Sequence, residues 1–147
     1  MFTHFFYKVA LPKEIPRSLK KDIVTLSKLK TKKACLERIR NLIVKKYKGC
    51  RMYEEFSLYL YSGLKIKSRR MHCTNLNYLV RFLLVRSGHF KEEDISLAYS
   101  FIAFSPHQYL KVRIGNKYMP IDAWAWTLGK KLGEYGHGWN MRRSKSF

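Results

Sequence analysis

Cys73, His107 and Asp122 supply, in chain order, the three side chains that sulfur-based acyl transfer needs. A thiol becomes a strong nucleophile when an imidazole and a helix N-terminus favour its thiolate. A carboxylate on the far side of the imidazole holds the ring in the useful tautomer. Cys73 opens a helical pattern, His107 lies in a strand pattern, and Asp122 lies in the strand pattern after it. If the three meet, the chemistry is attack of a thiolate on an acyl carbonyl.

The helix that would carry the thiol spans residues 73–87. Leu76, Leu79, Val80, Leu83 and Leu84 form its apolar stripe, and Gly88 is placed to cap it. Cys73 leads that stripe at i, i+3 and i+7 spacing, which turns it inward at the first turn. Upstream, Pro16 opens a helix over 17–30 with Leu19, Ile23, Leu26 and Lys30 along one face. A second helix, 32–47, carries Cys35, Leu36, Ile39, Leu42, Ile43 and Lys46 at helical spacing, with Gly49 as its stop. A third, 51–62, groups Met52, Phe56, Tyr59 and Leu60 before Gly63. Residues 1–15 read as an extended lead-in, and Lys65 to Arg70 as a basic connector.

After Asp94 the pattern changes to strands. Ile95 to Phe104 is β-branched and aromatic, Pro106 interrupts, and His107 to Ile114 alternates cleanly. Gly115-Asn116 is a two-residue hairpin signal, and Lys117 to Trp124 returns. Such a turn pairs Ile114 with Lys117 and therefore sets Asp122 opposite Tyr109 and Trp124 opposite His107. His107, Tyr109, Asp122 and Trp124 then share one face, while Leu110, Val112, Met119 and Ile121 share the other. His107 and Asp122 become diagonal neighbours, roughly 7–8 Å apart at the backbone and within side-chain reach. Asp122 is the only one of three aspartates set among apolar and aromatic residues, so it needs a partner. A structural His–Asp bond that satisfies two buried polar groups is the plainer account of that pair alone.

At this point the residues resemble the transglutaminase-like superfamily, whose fold is related to papain-type cysteine proteases. The matching stretches are Met71-His72-Cys73-Thr74-Asn75, Leu83-Leu84-Val85-Arg86-Ser87-Gly88, His107-Gln108-Tyr109-Leu110-Lys111-Val112 and Lys117-Tyr118-Met119-Pro120-Ile121-Asp122. The resemblance covers about 32–126 and is to a diverged member. Arg70-Met71-His72 stands where the family often has glycine, and His107-Gln108-Tyr109 replaces its histidine-alanine-tryptophan. The resemblance implies an α+β fold, with N-terminal helices and a Cys-bearing central helix packed on an antiparallel β-sheet. It also implies a catalytic triad of Cys73, His107 and Asp122 acting on an amide or peptide bond through an acyl-thioenzyme. The peptide N–H of Cys73 would be the first oxyanion donor. Tyr47, Tyr59, Tyr61 and His72 are open alternatives for the second. Water as acceptor makes a protease or amidase, and an amine makes an acyltransferase.

Length and composition set the frame. One domain is expected over 1–147, with a basic helical part at 16–63, a core at 64–126 and a Gly-rich basic tail at 127–147. Thirty basic and ten acidic residues leave a net charge of +20, which predicts salt-sensitive attraction to nucleic acid, to an anionic membrane surface or to acidic protein. A basic binding module without chemistry is therefore the competing reading. No apolar run is long enough to span a bilayer, and Met1 to Leu11 lacks a signal-peptide pattern, so a cytoplasmic protein is expected. Three cysteines without a CxxC pair argue against zinc knuckles and a disulfide framework, and Cys35 and Cys50 read as small buried thiols. No cofactor and no metal are expected: His72, Cys73 and His107 lack further ligands at metal spacing. Trp124, Trp126, His72 and Tyr109 are candidates for the walls of a substrate cleft, with core packing the alternative for at least one tryptophan. His137, between glycines, reads as a loop residue.

Overall fold

The computed structural model describes residues 6–50 and 69–139. Pro16 precedes a short 3-10 turn, Arg17–Leu19, which feeds helix α1, Lys20–Ser27. Leu19, Ile23 and Leu26 are buried as their spacing predicts, but the helix stops three residues before the expected end, leaving Lys30 exposed. The break is needed because Thr31 takes extended backbone angles as N-cap of helix α2, Lys32–Lys46, its hydroxyl accepting the Ala34 N–H at 3.1 Å. Cys35, Leu36, Ile39 and Ile43 face the core, and Lys46 turns outward to Asp22 at 2.8 Å. The helix expected over 51–62, with Gly63 and the start of the basic connector, lies outside the described residues.

Gly49 does not cap α2. The chain leaves that helix through an extended Tyr47 into strand β1, Lys48–Gly49, which pairs in parallel with β2, Arg70–Met71. A two-residue strand has no periodicity to read, so this pairing is invisible in the sequence. β2 leads directly into helix α3, Cys73–Arg86. Gly88 ends α3 with φ of 79°, a left-handed angle that suits glycine just past a helix end.

Strands β3 (Ile95–Ile102), β4 (Ser105–Ile114) and β5 (Lys117–Ile121) form an antiparallel sheet in the order β3-β4-β5. The β4–β5 register pairs Ile114 with Lys117 and Leu110 with Ile121, as the Gly-Asn turn requires. Two boundaries differ from expectation. Pro106 does not interrupt β4 but lies within it, opposite Phe101. β5 does not reach that stretch, so the N–H that proline lacks is not missed on that edge. β5 also ends at Ile121 rather than running to Trp124. Asp122 becomes the N-cap of a short helix α4, Ala123–Trp126, because its carboxylate captures the Ala125 N–H at 3.0 Å.

One cluster of buried apolar side chains joins α1, α2, α3, β3, β4, β5 and α4. Each fully buried leucine in it, such as Leu76, Leu79, Leu83 and Leu110, is worth about 1.5–3 kcal/mol of transfer free energy. The lead-in segment is strapped along α3 by polar bonds at its outer face. Tyr78 donates to the Ala10 carbonyl at 3.1 Å, Arg81 to that of Val9, and Arg86 to that of Pro12 at 2.6 Å. The Arg81 guanidinium is buried and lies 3.1 Å from Glu92, which also meets Lys8.

Candidate active site

Three elements bring the chemistry to one place: the first residue of α3, the early part of β4, and the residue that follows β5. His107 is 4% exposed and Asp122 is fully buried. The His107 ring donates from Nε2 to Asp122 Oδ2 at 2.6 Å. Cys73 is a further side-chain hydrogen-bond partner of the same ring. Cys73 itself is partly accessible. Sulfur, imidazole and carboxylate therefore stand in sequence, with the sulfur as the solvent-reachable end.

The electrostatics follow from that order. Burial disfavours the imidazolium, yet hydrogen bonds to Asp122 and to Cys73, with the negative charge of each, overcome it and push the His107 pKa up to about 9. At neutral pH the ring is therefore a cation that donates to the Asp122 carboxylate. The Cys73 N–H is among the first four of a 14-residue helix, so it has no partner within that helix and sits at the positive dipole end.

Asp122 is held from three directions. Oδ1 accepts the Ala125 N–H, while Oδ2 accepts both His107 and the Gly136 N–H at 2.8 Å. Gly136 belongs to the Gly-rich tail, which doubles back over this face of the sheet. Its carbonyl accepts Ser100 Oγ at 2.5 Å, and Tyr135 stacks on Tyr109 with ring centroids 4.5 Å apart and 14° between planes. Gly138 bonds on to β3 through Phe101 and Ala103. His137, exposed, packs only loosely beside Tyr135 at 5.1 Å.

The expected substrate-contacting residues are all buried. Trp126 is fully enclosed in the core, and Tyr109 lies under Tyr135. Trp124 lies 5.1 Å from the His107 ring and donates its Nε1 proton to the Cys50 carbonyl at 3.1 Å. It therefore backs the imidazole instead of lining an open cleft. His72, a candidate for the cleft wall, is buried as N-cap of α3 with Nδ1 3.8 Å from Cys50 Sγ. Of the alternatives for a second oxyanion donor, Tyr47 is buried, while Tyr59 and Tyr61 lie outside the described residues. Cys35, Cys50 and Cys73 are free thiols. Among the described residues no group of three or more His, Cys, Asp or Glu is placed to hold a metal ion.

Sequence reasoning missed three supports. Asn77, one turn after Cys73 on α3, is buried and donates Nδ2 to the Gln108 carbonyl at 2.8 Å and to Gln108 Oε1 at 3.2 Å. It ties the helix that carries Cys73 to the strand residue beside His107. An asparagine inside an apolar helix pattern was the available signal. Gly49 is the second: a Cβ there would stand 2.6 Å from Trp124 Cδ1 and 2.7 Å from Thr127 Oγ1, so only glycine lets β1 pass the tryptophan behind His107. The Gly136 peptide is the third, and no side-chain pattern announces it.

No protein-family model, curated protein or solved structure matches this chain.

Proposed function

We propose that the protein is a cysteine hydrolase or acyltransferase of transglutaminase-like type, acting on an amide or peptide bond through Cys73, His107 and Asp122. The supporting observation is the His107 ring, bonded through Nε2 to a buried carboxylate and hydrogen-bonded as well to a partly accessible thiol at a helix start. Cys73 sulfur attacks the acyl carbon, and the Cys73 N–H at the positive end of α3 stabilises the developing oxyanion. As the C–N bond breaks, His107 passes its Nδ1 proton to the leaving amine, leaving a thioester on Cys73. Water or a second amine then attacks the thioester, and Nδ1 takes the incoming proton back. Asp122 keeps Nε2 protonated throughout, so Nδ1 is always the nitrogen that exchanges protons with sulfur and substrate.

The test is the alkylation rate of Cys73 against pH, with Cys50 replaced by serine. Cys35 serves as an internal control, because burial pushes its thiol pKa up and encloses it. Cys73 is expected to react readily at pH 6, and His107→Ala to abolish that reactivity. A rate that rises only where an ordinary thiol ionises, and that ignores His107, would refute the reading.

A basic binding module remains the second reading. The observation that favours it is that acids are internally engaged, Asp22 by Lys46, Asp94 by Arg113 and Glu92 by Arg81, leaving the excess lysine and arginine to act outward. Binding to nucleic acid that weakens steeply with salt and survives Cys73→Ala supports it.

A further inference from the structure

The sheet ends in a patch of exposed rings. Ser100 pairs with His107, so Tyr99 and Phe101 lie on the face of β3 turned away from the imidazole. Phe101 is 66% exposed, and Phe6 of the lead-in adds a ring 6.4 Å from Tyr99. The two-residue turn from β3 to β4 consists of Ala103 and Phe104. Such turns favour Gly, Asn and Asp, and Ala103 takes a φ of 53° that suits glycine. The turn nonetheless carries a phenylalanine, 84% exposed. The tail comes alongside: the Gly138 carbonyl accepts the Ala103 N–H, and its N–H donates to the Phe101 carbonyl, both at 2.9 Å. That places Trp139, 68% exposed, in edge contact with Phe104 at 4.7 Å. Exposed rings gathered in this way mark a contact surface more than scattered apolar residues do.

Charge narrows the occupant. In a chain with 27% charged residues, the stretch from Ile95 to Leu110 contains no Asp, Glu, Lys or Arg. The cations come afterwards: beyond Glu134 the sequence has no acid, and it supplies Arg142, Arg143 and Lys145 shortly after Trp139. A single-stranded nucleic acid calls for cations interleaved with the rings, to follow the phosphates between stacked bases. A second copy of this chain would bring one net charge of +20 against another. A bilayer interface fits both observations. Its headgroup layer accepts Trp, Tyr and Phe rings and disfavours charge at depth, while anionic headgroups attract flanking lysine and arginine.

We propose that the β3–β4 turn is a membrane-docking tip. Phe101, Phe104 and Trp139 seat in the headgroup region of an anionic bilayer, and the cations that follow Trp139 hold the chain to its surface charge. This assignment is independent of the chemistry at Cys73.

Of the three tryptophans, Trp124 and Trp126 are buried, so Trp139 is the one whose surroundings change on docking. The full chain is mixed with vesicles of phosphatidylcholine alone or of phosphatidylcholine with phosphatidylglycerol. Binding to the mixed vesicles is expected, with a blue shift of tryptophan emission and quenching by brominated acyl chains. Phe101→Ser with Phe104→Ser, both at exposed positions, should weaken that binding about tenfold or more. Arg142→Gln, Arg143→Gln and Lys145→Gln together should weaken it by about tenfold and flatten its salt dependence. Absence of binding to the mixed vesicles, adsorption that leaves the emission unshifted, or indifference to the ring variant overturns the proposal. So does binding to oligouridylate that is lost in the ring variant while vesicle binding persists, since the rings would then stack on bases. A native dimer in sedimentation that becomes monomeric in the ring variant also overturns it, because the rings would then meet a second copy.

Discussion

His107 is the residue on which the site balances. Its pKa is raised in the fold, so the bonds of the imidazolium stabilise the native state fully below the ordinary value near 6.5 and fade as pH climbs through about 9. The difference in unfolding free energy between the native chain and His107→Gln should therefore be constant at acid pH and shrink steadily toward pH 9, as denaturant titrations at each pH would reveal. Asp122→Asn keeps the shape but removes the charge that holds the ring protonated. The His107 pKa should then fall from about 9, and the pH above which His107 stops assisting Cys73 alkylation should move down with it, as rate profiles of the two proteins would show. Asp122→Ala removes more: with the Ala125 and Gly136 N–H groups also left unpaired, stability should drop by about 3–5 kcal/mol.

At the scale of elements, the spacing of the parts matters more than their identity. Asn77 is a direct polar tie between α3 and β4, and Asn77→Ala should cost about 1–3 kcal/mol. It should also slow Cys73 alkylation while leaving the reagent's access unchanged, which a comparison at pH 6 and pH 9.5 would separate. Gly49→Ala forces a methyl into Trp124 and Thr127, with an expected cost of about 1–3 kcal/mol and a changed tryptophan emission. These elements were unequally legible in the sequence. The thiol's helix and the β4–β5 register could be read because an apolar stripe and a two-residue turn are local signals. Asp122 as a helix cap could not be told from Asp122 as a strand residue, because the deciding interaction is with an N–H three residues on. Gly49 resembled a helix stop by position alone, while its true constraint is a tryptophan 75 residues away in sequence. Pro106 looked like a break because sequence does not say which edge of a strand has a neighbour.

Across the whole molecule, charge is the dominant asymmetry. A net +20 on 147 residues repels itself, so the melting temperature should rise by a few degrees between about 0.05 and 0.5 M sodium chloride, where screening shortens from well over 10 Å to a few ångströms. A flat or falling dependence would mean the cations are better paired than their number suggests. Among the described residues no helix is long and apolar enough to cross a membrane. The tail described above has a further consequence, for descent instead of mechanism. One acidic oxygen anchors both the imidazole and the Gly136 backbone, so a lineage that abandoned chemistry would be free to exchange its sulfur long before it could release that acid. On the proposed reading of Cys73, catalytically silent relatives should be recognisable by a retained aspartate facing a vanished cysteine.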